Sequence, residues 1–207
     1  CGPGSLTFRA LERYPHARVL AADADRILLT IADGVARKRN LSVEFEVADF
    51  RRPHFWKRRS EPFDLVLTAT TLHWLTPRHH KDVYKGIYKA LGPGGLFFNS
   101  DHFAAENPRT QKRFRAMLDE RRVEAFARSP ADDWTGYWKA LADELGVDNI
   151  DAVRGAANIW EGTDDGQPKS FHRTTLKRCG FDRIEFLWQN LGEAVLTARK
   201  PPACKAV

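Results

Sequence analysis

The stretch Cys1-Gly2-Pro3-Gly4-Ser5 decides the fold, because it has the composition of a tight turn that leads into a helix. Glycines let the backbone turn sharply and approach a ligand, and the helix predicted from about Leu6 to Tyr14 points its N-terminal amides toward that ligand. Asp23 ends the next apolar run, 19 positions after Gly4. A carboxylate at the end of such a strand accepts hydrogen bonds from both hydroxyls of a ribose. The spacing therefore predicts a nucleotide-binding turn.

Two other interpretations of the turn stay open at this point. Gly-Pro-Gly-Ser can remain after removal of an affinity tag, and a glycine turn followed by an acid also occurs in ordinary loops. The continuation into a helix and then a strand favours a genuine turn. Since no strand precedes Cys1 in the sequence, we expect that the first strand is missing and that the chain is a fragment.

Three further segments extend this pattern along the chain. The segment Val43 to Phe50 alternates as a strand and ends in Asp49 and Phe50, an acid and an aromatic suited to the amino group and the ring of adenine. Residues 63–75 form an apolar strand that runs into a polar corner, and residues 91–98 form a glycine turn entering another buried strand. Alternation of strands and helices predicts a parallel sheet with helices on both faces.

In this order and at these intervals, the segments resemble the class I S-adenosylmethionine-dependent methyltransferases. The glycine-rich loop of that family has the pattern G-x-G-x-G, and Cys1 to Gly4 match its centre. Ser5 stands at the third glycine, and the acid that normally lies just upstream is absent. The resemblance implies a Rossmann-like three-layer α/β sandwich, with a mostly parallel sheet, a C-terminal antiparallel hairpin, a helical lid insertion and a missing first strand.

The resemblance also implies S-adenosylmethionine as cofactor and assigns residues to it. Gly2 and Gly4 are expected at the methionine end of the cofactor, Asp23 with Ala24 at its ribose, and Asp49 with Phe50 at its adenine. Thr68, Ala69 and Thr70, at the polar corner within residues 63–75, are expected to line its methionine side. His73 and then His102 are the candidates for a catalytic base or substrate contact, because an imidazole can accept a proton near neutral pH. A histidine that merely caps the strand corner is the alternative for His73. No metal is expected.

We expect one methyltransferase domain over residues 1–207, with residues 102–167 as a helical lid insertion. Helical patterns cover about Pro108 to Ala127 and Asp132 to Leu145, and a polar loop at 161–167 is expected to be mobile. The tryptophans of the second pattern either cover the substrate or simply dock the helix. Strands at 181–188 and 193–199 are expected to form the C-terminal antiparallel pair.

Composition limits the partners. The 207 residues carry a net charge of +6, and basic residues with two aromatics are densest at 51–59. Such a patch can bind phosphates and stack bases, but a solvated loop whose aromatics fold back on the sheet is favoured, so nucleic acid is an unlikely partner. Three scattered cysteines favour a reducing cytosol, hence a cytoplasmic protein. No apolar run approaches the roughly 18 residues of a membrane span.

The expected function is methyl transfer to a small-molecule acceptor. The corner Thr71 to Leu75 resembles that of small-acid methyltransferases of the trans-aconitate type. A non-catalytic methyltransferase-like binding module is the first alternative. An NAD(P)-dependent dehydrogenase is less favoured, because Thr7 breaks the G-x-G-x-x-G pattern and Tyr84 is followed four positions later by Tyr88 instead of lysine.

Overall fold

The computed structural model of this protein describes residues 1–57, 61–128, 133–155 and 161–203. Parts of the segments discussed above lie outside the described residues: Arg58 and Arg59 of the basic patch at 51–59, Asp132 at the beginning of the second helical pattern, and Cys204, one of the three cysteines.

The strands of the described residues form two sheets. The strands are β1 (Leu20–Asp23), β2 (Glu44–Val47), β3 (Phe63–Ala69), β4 (Leu91–His102), β5 (Asp182–Asn190) and β6 (Glu193–Arg199). One sheet pairs β1 with β2 in parallel, and the other has the order β3-β4-β6-β5. β3 and β4 are parallel, whereas β6 is antiparallel to both β4 and β5. The expected mixed α/β fold with a C-terminal antiparallel hairpin is confirmed.

β1 and β3 are not paired with each other in the described part of the chain, although both line one cavity of about 2060 Å³. The nitrogen of Cys1 donates to the carbonyl oxygen of Ala22 at 2.8 Å, so the glycine turn lies at the carboxyl end of β1. A strand running into this turn would pass between β1 and β3. The expectation of such a strand upstream of Cys1 stays a prediction.

The helices surround the sheets. They are α1 (Ser5–Arg13), α2 (Arg26–Lys38), α3 (Pro53–Lys57), α4 (Pro77–Ala90), α5 (Pro108–Ala127), α6 (Trp134–Leu145), α7 (Ile150–Arg154) and α8 (Lys169–Cys179), with a 3₁₀ turn at Leu72–Trp74. The Asp25 carboxylate caps α2, and the Thr76 hydroxyl caps α4 one residue before Pro77. In the described residues, no helix is long and apolar enough to span a membrane.

The main core packs α4 and α8 against the four-stranded sheet. Its most buried apolar side chains are Tyr84, Ile87, Phe97, Leu176 and Leu196. Burial of each such side chain contributes roughly 1.5–3 kcal/mol, so this layer fixes the positions of β3 and β4. The carboxyl ends of these two strands carry the polar residues of the site.

Candidate cofactor and acceptor site

The glycine turn lies against Asp23. Gly2 has a φ of 54°, and a Cβ placed on it would have no neighbour within 4 Å. Gly4 has a φ of 90°, but a Cβ there would lie 2.6 Å from a ring carbon of Phe8. Gly2 therefore leaves its surroundings open for a ligand, whereas Gly4 allows α1 to pack closely. Both were expected to approach the cofactor, and this stays a prediction; the structure shows room for a ligand beside Gly2.

Asp23 is held as an acceptor at the end of β1. Its Oδ2 accepts from the Gly2 amide at 2.7 Å, and its Oδ1 accepts from the Asp25 amide at 2.9 Å. Burial alone would raise the pKa of the Asp23 carboxyl, and the hydrogen bonds from the amides of Asp25 and Gly2 act in the opposite direction. The group is thus ionised and can accept hydroxyl donors. Ala24, half-buried, follows it directly.

Asp49 is paired with a residue that the sequence analysis assigned to the basic patch. Arg51 donates from Nε to Oδ1 at 2.8 Å and from Nη2 to Oδ2 at 2.9 Å. Burial alone would raise the pKa of Asp49, but its bonds with Arg51 lower it overall. Phe50 is half-buried and packs against the main core, while its backbone oxygen accepts from the Trp56 indole at 2.7 Å. The aromatics of the patch therefore fold back on the domain.

The end of β3 carries an uncommon backbone conformation. Thr70 has a φ of 44°, a region that β-branched residues rarely adopt. Its amide donates to the carbonyl oxygen of Ser100 at 2.9 Å, and the Thr71 hydroxyl donates to that of Ala69 at 2.6 Å. Thr68 donates from its hydroxyl to Asn99 at 2.7 Å. Strain of this kind is concentrated at ligand sites, consistent with the expected role of this corner.

His73 forms a buried pair with Asp101, which the sequence analysis missed. Nδ1 of His73 lies 2.6 Å from Oδ1 of Asp101, and the two side chains are 4% and 1% exposed. Asp101 also accepts from the amides of Leu72, His73 and His102. Burial alone would raise the pKa of Asp101, but its bond to His73 lowers it overall. Because a carboxylate only accepts, Nδ1 of His73 carries the proton, and in the neutral ring Nε2 is free to accept one.

His102 lies beside His73. Their rings stack with centroids 4.7 Å apart, and Nδ1 of His102 donates to the carbonyl oxygen of Asp164 at 2.8 Å. The two histidines that the sequence analysis selected independently are therefore neighbours. Nε2 is the acceptor atom of both rings when they are neutral.

A strap, residues 161–167, covers this pair. The amides of Glu161 and Gly162 donate to the carbonyl oxygen of Trp74 at 3.0 and 2.5 Å, and Ala104 donates to that of Gln167 at 3.1 Å. A Cβ on Gly162 would lie 2.5 Å from the carbonyl oxygen of His73, so the strap approaches the site as closely as a backbone can. The polar composition of these residues predicts a mobile loop, and in this structure they pack onto the two histidines.

The helical insertion reaches the site through a second arginine. Arg154 donates from Nε to Oδ2 of Asp25 at 2.6 Å, and its guanidinium lies 3.9 Å from the ring centroid of Trp138. Trp138 is buried, and Trp134 lines the cavity. The aromatics of α6 thus dock the helix and also face the site.

The cavity between β1 and β3 extends past the carboxyl ends of both strands, where most of the expected residues line it. It is lined by Gly2, Asp23, Asp49, Thr70, His73 and His102. Ala24, Phe50, Thr68 and Ala69 line it as well, whereas Gly4 does not. Within the described ranges, no group of three or more His, Cys, Asp or Glu side chains is arranged to hold a metal ion.

Residues 1–95 match a sequence family described as a methyltransferase domain. The chain is also 29% identical over 178 residues to a trans-aconitate 2-methyltransferase of Methylobacterium nodulans, across 75% of this chain and 64% of the relative. The expected resemblance to the class I S-adenosylmethionine-dependent methyltransferases is confirmed.

Solved structures of methyltransferases share the fold of this chain. An O-methyltransferase family protein from Burkholderia thailandensis superposes with a TM-score of 0.63 at 13% identity, over 98% of this chain and 49% of that protein. Human N-acetylserotonin methyltransferase in complex with SAM superposes with a TM-score of 0.54 at 16% identity, over 97% of this chain and 45% of that protein. The chain therefore spans less than two thirds of the curated relative and about half of each of these structures.

Proposed function

We propose that the chain binds S-adenosylmethionine and takes part in methyl transfer to a small-molecule acceptor. The observation that carries the proposal is the position of the glycine turn, the Asp23 carboxylate and the His73–Asp101 pair around one cavity. The match of residues 1–95 to the methyltransferase domain family supports it. We extend the proposal to a single domain over residues 1–207, with 102–167 as a lid insertion, and to a cytoplasmic location.

The residues present fit this cofactor. Open space beside Gly2 admits the methionine end, the ionised carboxylate of Asp23 suits a ribose diol, and the strained corner at Thr70 presents backbone groups between them. S-adenosylmethionine, when bound, supplies a methyl group on a sulfonium. Gly4 contributes indirectly, because the absence of a Cβ there lets α1 begin close to the turn.

His73 is proposed to accept the proton of the methyl acceptor. Asp101 keeps the proton of the ring on Nδ1, so that the lone pair of Nε2 is directed away from the carboxylate. His102 stacks on the ring and restricts its rotation. Methyl transfer depends mainly on alignment of two reactants and exclusion of water, and the strap supports both by covering this pair.

We expect Asp23→Asn to weaken S-adenosylmethionine binding by roughly 1–3 kcal/mol, because an amide nitrogen replaces one acceptor oxygen beside buried hydroxyls. Calorimetric titration measures the effect. Asp33→Asn is the matched control, since Asp33 forms an exposed ion pair with Arg37 on α2. Unchanged affinity in the Asp23 variant would refute its assignment to the ribose.

We expect His73→Gln to lower turnover by about 10²- to 10⁴-fold, the usual contribution of a general base, and to leave cofactor affinity nearly unchanged. Glutamine can still donate to Asp101, so the fold is retained. Single-turnover assays and melting temperatures are measured together. If turnover is unchanged in this variant, His73 is not the base. If turnover, cofactor affinity and melting temperature all fall together, His73 caps the corner and is not the base.

Cofactor titration also separates the alternatives. A non-catalytic binding module would bind S-adenosylmethionine, or a partner instead, and show no transfer to any of a panel of small carboxylic acids and phenols. A dehydrogenase would bind a nicotinamide dinucleotide in preference.

A further inference from the structure

Arg51 connects Asp49, where adenine is proposed to bind, with the strap that covers His73. Beside its paired bonds to Asp49, its Nη1 donates to Oε1 of Glu161 in the strap. The other carboxylate oxygen of Glu161 bonds Nδ1 of His79 on α4. One guanidinium thus joins the carboxylate of Asp49, just after β2, to the carboxylate at the beginning of the strap, and Arg51 and Glu161 are 110 positions apart in the sequence.

This connection is stronger than an ordinary surface ion pair. The side chains of Arg51 and Glu161 are only 14% and 25% exposed, and the bond of Arg51 to Asp49 is bidentate. The bond to Asp49 raises the pKa of Arg51, with burial acting in the opposite direction, so the guanidinium stays charged. Paired geometry and partial burial are the conditions in which an arginine ion pair keeps its strength.

The strap must move before an acceptor reaches His73. His73 is almost fully buried, and the amides of Glu161 and Gly162 are bonded directly to the backbone next to it. Glu161 therefore makes two bonds. Its backbone amide bonds the carbonyl oxygen of Trp74, next to His73, and its side chain bonds Arg51, which is paired with Asp49.

We infer that Arg51 is a positioning residue that couples occupation of the adenine end of the site to closure of the strap over His73. The inference rests on the proposed function, which places adenine at Asp49. A ring bound there removes water from Arg51, and an ion pair in a less polar environment is stronger. Binding at Asp49 therefore holds Glu161, and with it the strap, in the closed position.

Hydrogen exchange of the 207-residue chain tests the coupling, with S-adenosylmethionine as the probe and calorimetry run in parallel. The amides of Glu161 and Gly162 are the reporters. In the unsubstituted chain we expect the cofactor to slow hydrogen exchange of the 161–167 peptide by about fivefold or more, because bound cofactor makes local opening of the strap less favourable. Glu161→Gln should lose most of this protection, and because coupling is reciprocal its Kd should rise by about the same factor, roughly fivefold, while binding is retained through the intact Arg51–Asp49 pair. Arg51→Met should lose it as well.

The matched control is Glu61→Gln, which removes a carboxylate that pairs with Arg18 in an exposed ion pair. It should keep the protection of the unsubstituted chain. Equal protection in Glu161→Gln and in the unsubstituted chain, at equal cofactor occupancy, overturns the coupling alone. If calorimetry finds no binding of S-adenosylmethionine to the unsubstituted chain, the proposed function fails and the coupling fails with it.

Discussion

Acidification from pH 7 to pH 5 is expected to lower the free energy of unfolding by about 3–4 kcal/mol, through two histidines in the main core. His80 and His172 are buried with ring centroids 5.1 Å apart. Burial lowers the pKa of His80 to about 4 and that of His172 to about 3. Such a loss is a large part of the 5–15 kcal/mol that stabilises a typical domain.

The sign follows from proton binding. Both pKa values are lower in the folded chain than the ordinary value of 6.5, so the unfolded chain binds more protons below that pH. The stability that the neutral rings provide is present above pH 6.5 and is lost as the pH falls toward 4 and then 3. Neither ring nitrogen of His80 has a hydrogen-bond partner of good geometry in the described structure, and the backbone of Leu75 and Thr76 offsets only part of the burial.

Urea unfolding at pH 7, 6 and 5 measures this loss. His80→Phe keeps an apolar ring of similar size, and its pH-dependent loss should be about half that of the unsubstituted chain. His16→Ala, at an exposed position, should leave the loss unchanged. Equal stability at pH 7 and pH 5 would mean that the core admits water to these rings.

The same histidines show where sequence patterns stop being informative. The sequence predicts a helix from Asp82 to Leu91 and solvated side chains for His79 and His80, but His80 is fully buried, so the prediction is wrong for His80. The helix begins at Pro77 and not at Asp82, because Thr76 caps it. The earlier beginning places His80 in line with Tyr84 and Ile87, on the face that packs against the sheet. A polar residue on a core face is not recognised from periodicity alone.

Local signals located the elements well. α5 has the predicted bounds. The sequence also predicts a helix capped by Asp25 and another that stops at Gly180, and α2 and α8 have these ends. The strand-end residues Asp23 and His73 were found because the order of strands and helices determines which loops share an edge. Pairing across the chain was not predictable, since nothing local to Asp101, Arg51 or Glu161 indicates their partners. One cue was available for Asp101, a carboxylate at the carboxyl end of the buried strand that follows the glycine turn of residues 91–95.

Asp25→Ala is expected to destabilise the fold by about 3–5 kcal/mol, the usual cost of removing one partner of a buried ion pair. Asp25 is 2% exposed and has two tasks. Its Oδ1 accepts from the amides of Ile27 and Leu28 at 3.0 and 3.2 Å, which caps α2. Its Oδ2 accepts from Arg154, which docks the insertion next to Trp138. Alanine removes the cap and leaves the guanidinium buried beside the ring without this carboxylate.

Arg154→Met separates the role of Asp25 as the cap of α2 from its ion pair with Arg154. Methionine fills much of the same space without charge, and Asp25 keeps its two amide donors at a helix N-terminus that favours an anion. We expect a loss of only about 1–3 kcal/mol in urea unfolding. In the double variant the charged partner is absent as well, so its loss should be smaller than the sum of the two single losses by at least about 1 kcal/mol. Additive losses would show that Asp25 stabilises the domain as a helix cap alone and that the insertion is held by its aromatic contacts. If the loss in the double variant is smaller than the sum, the Asp25 carboxylate both caps α2 and docks the insertion. It would do so two residues from Asp23, the proposed ribose acceptor.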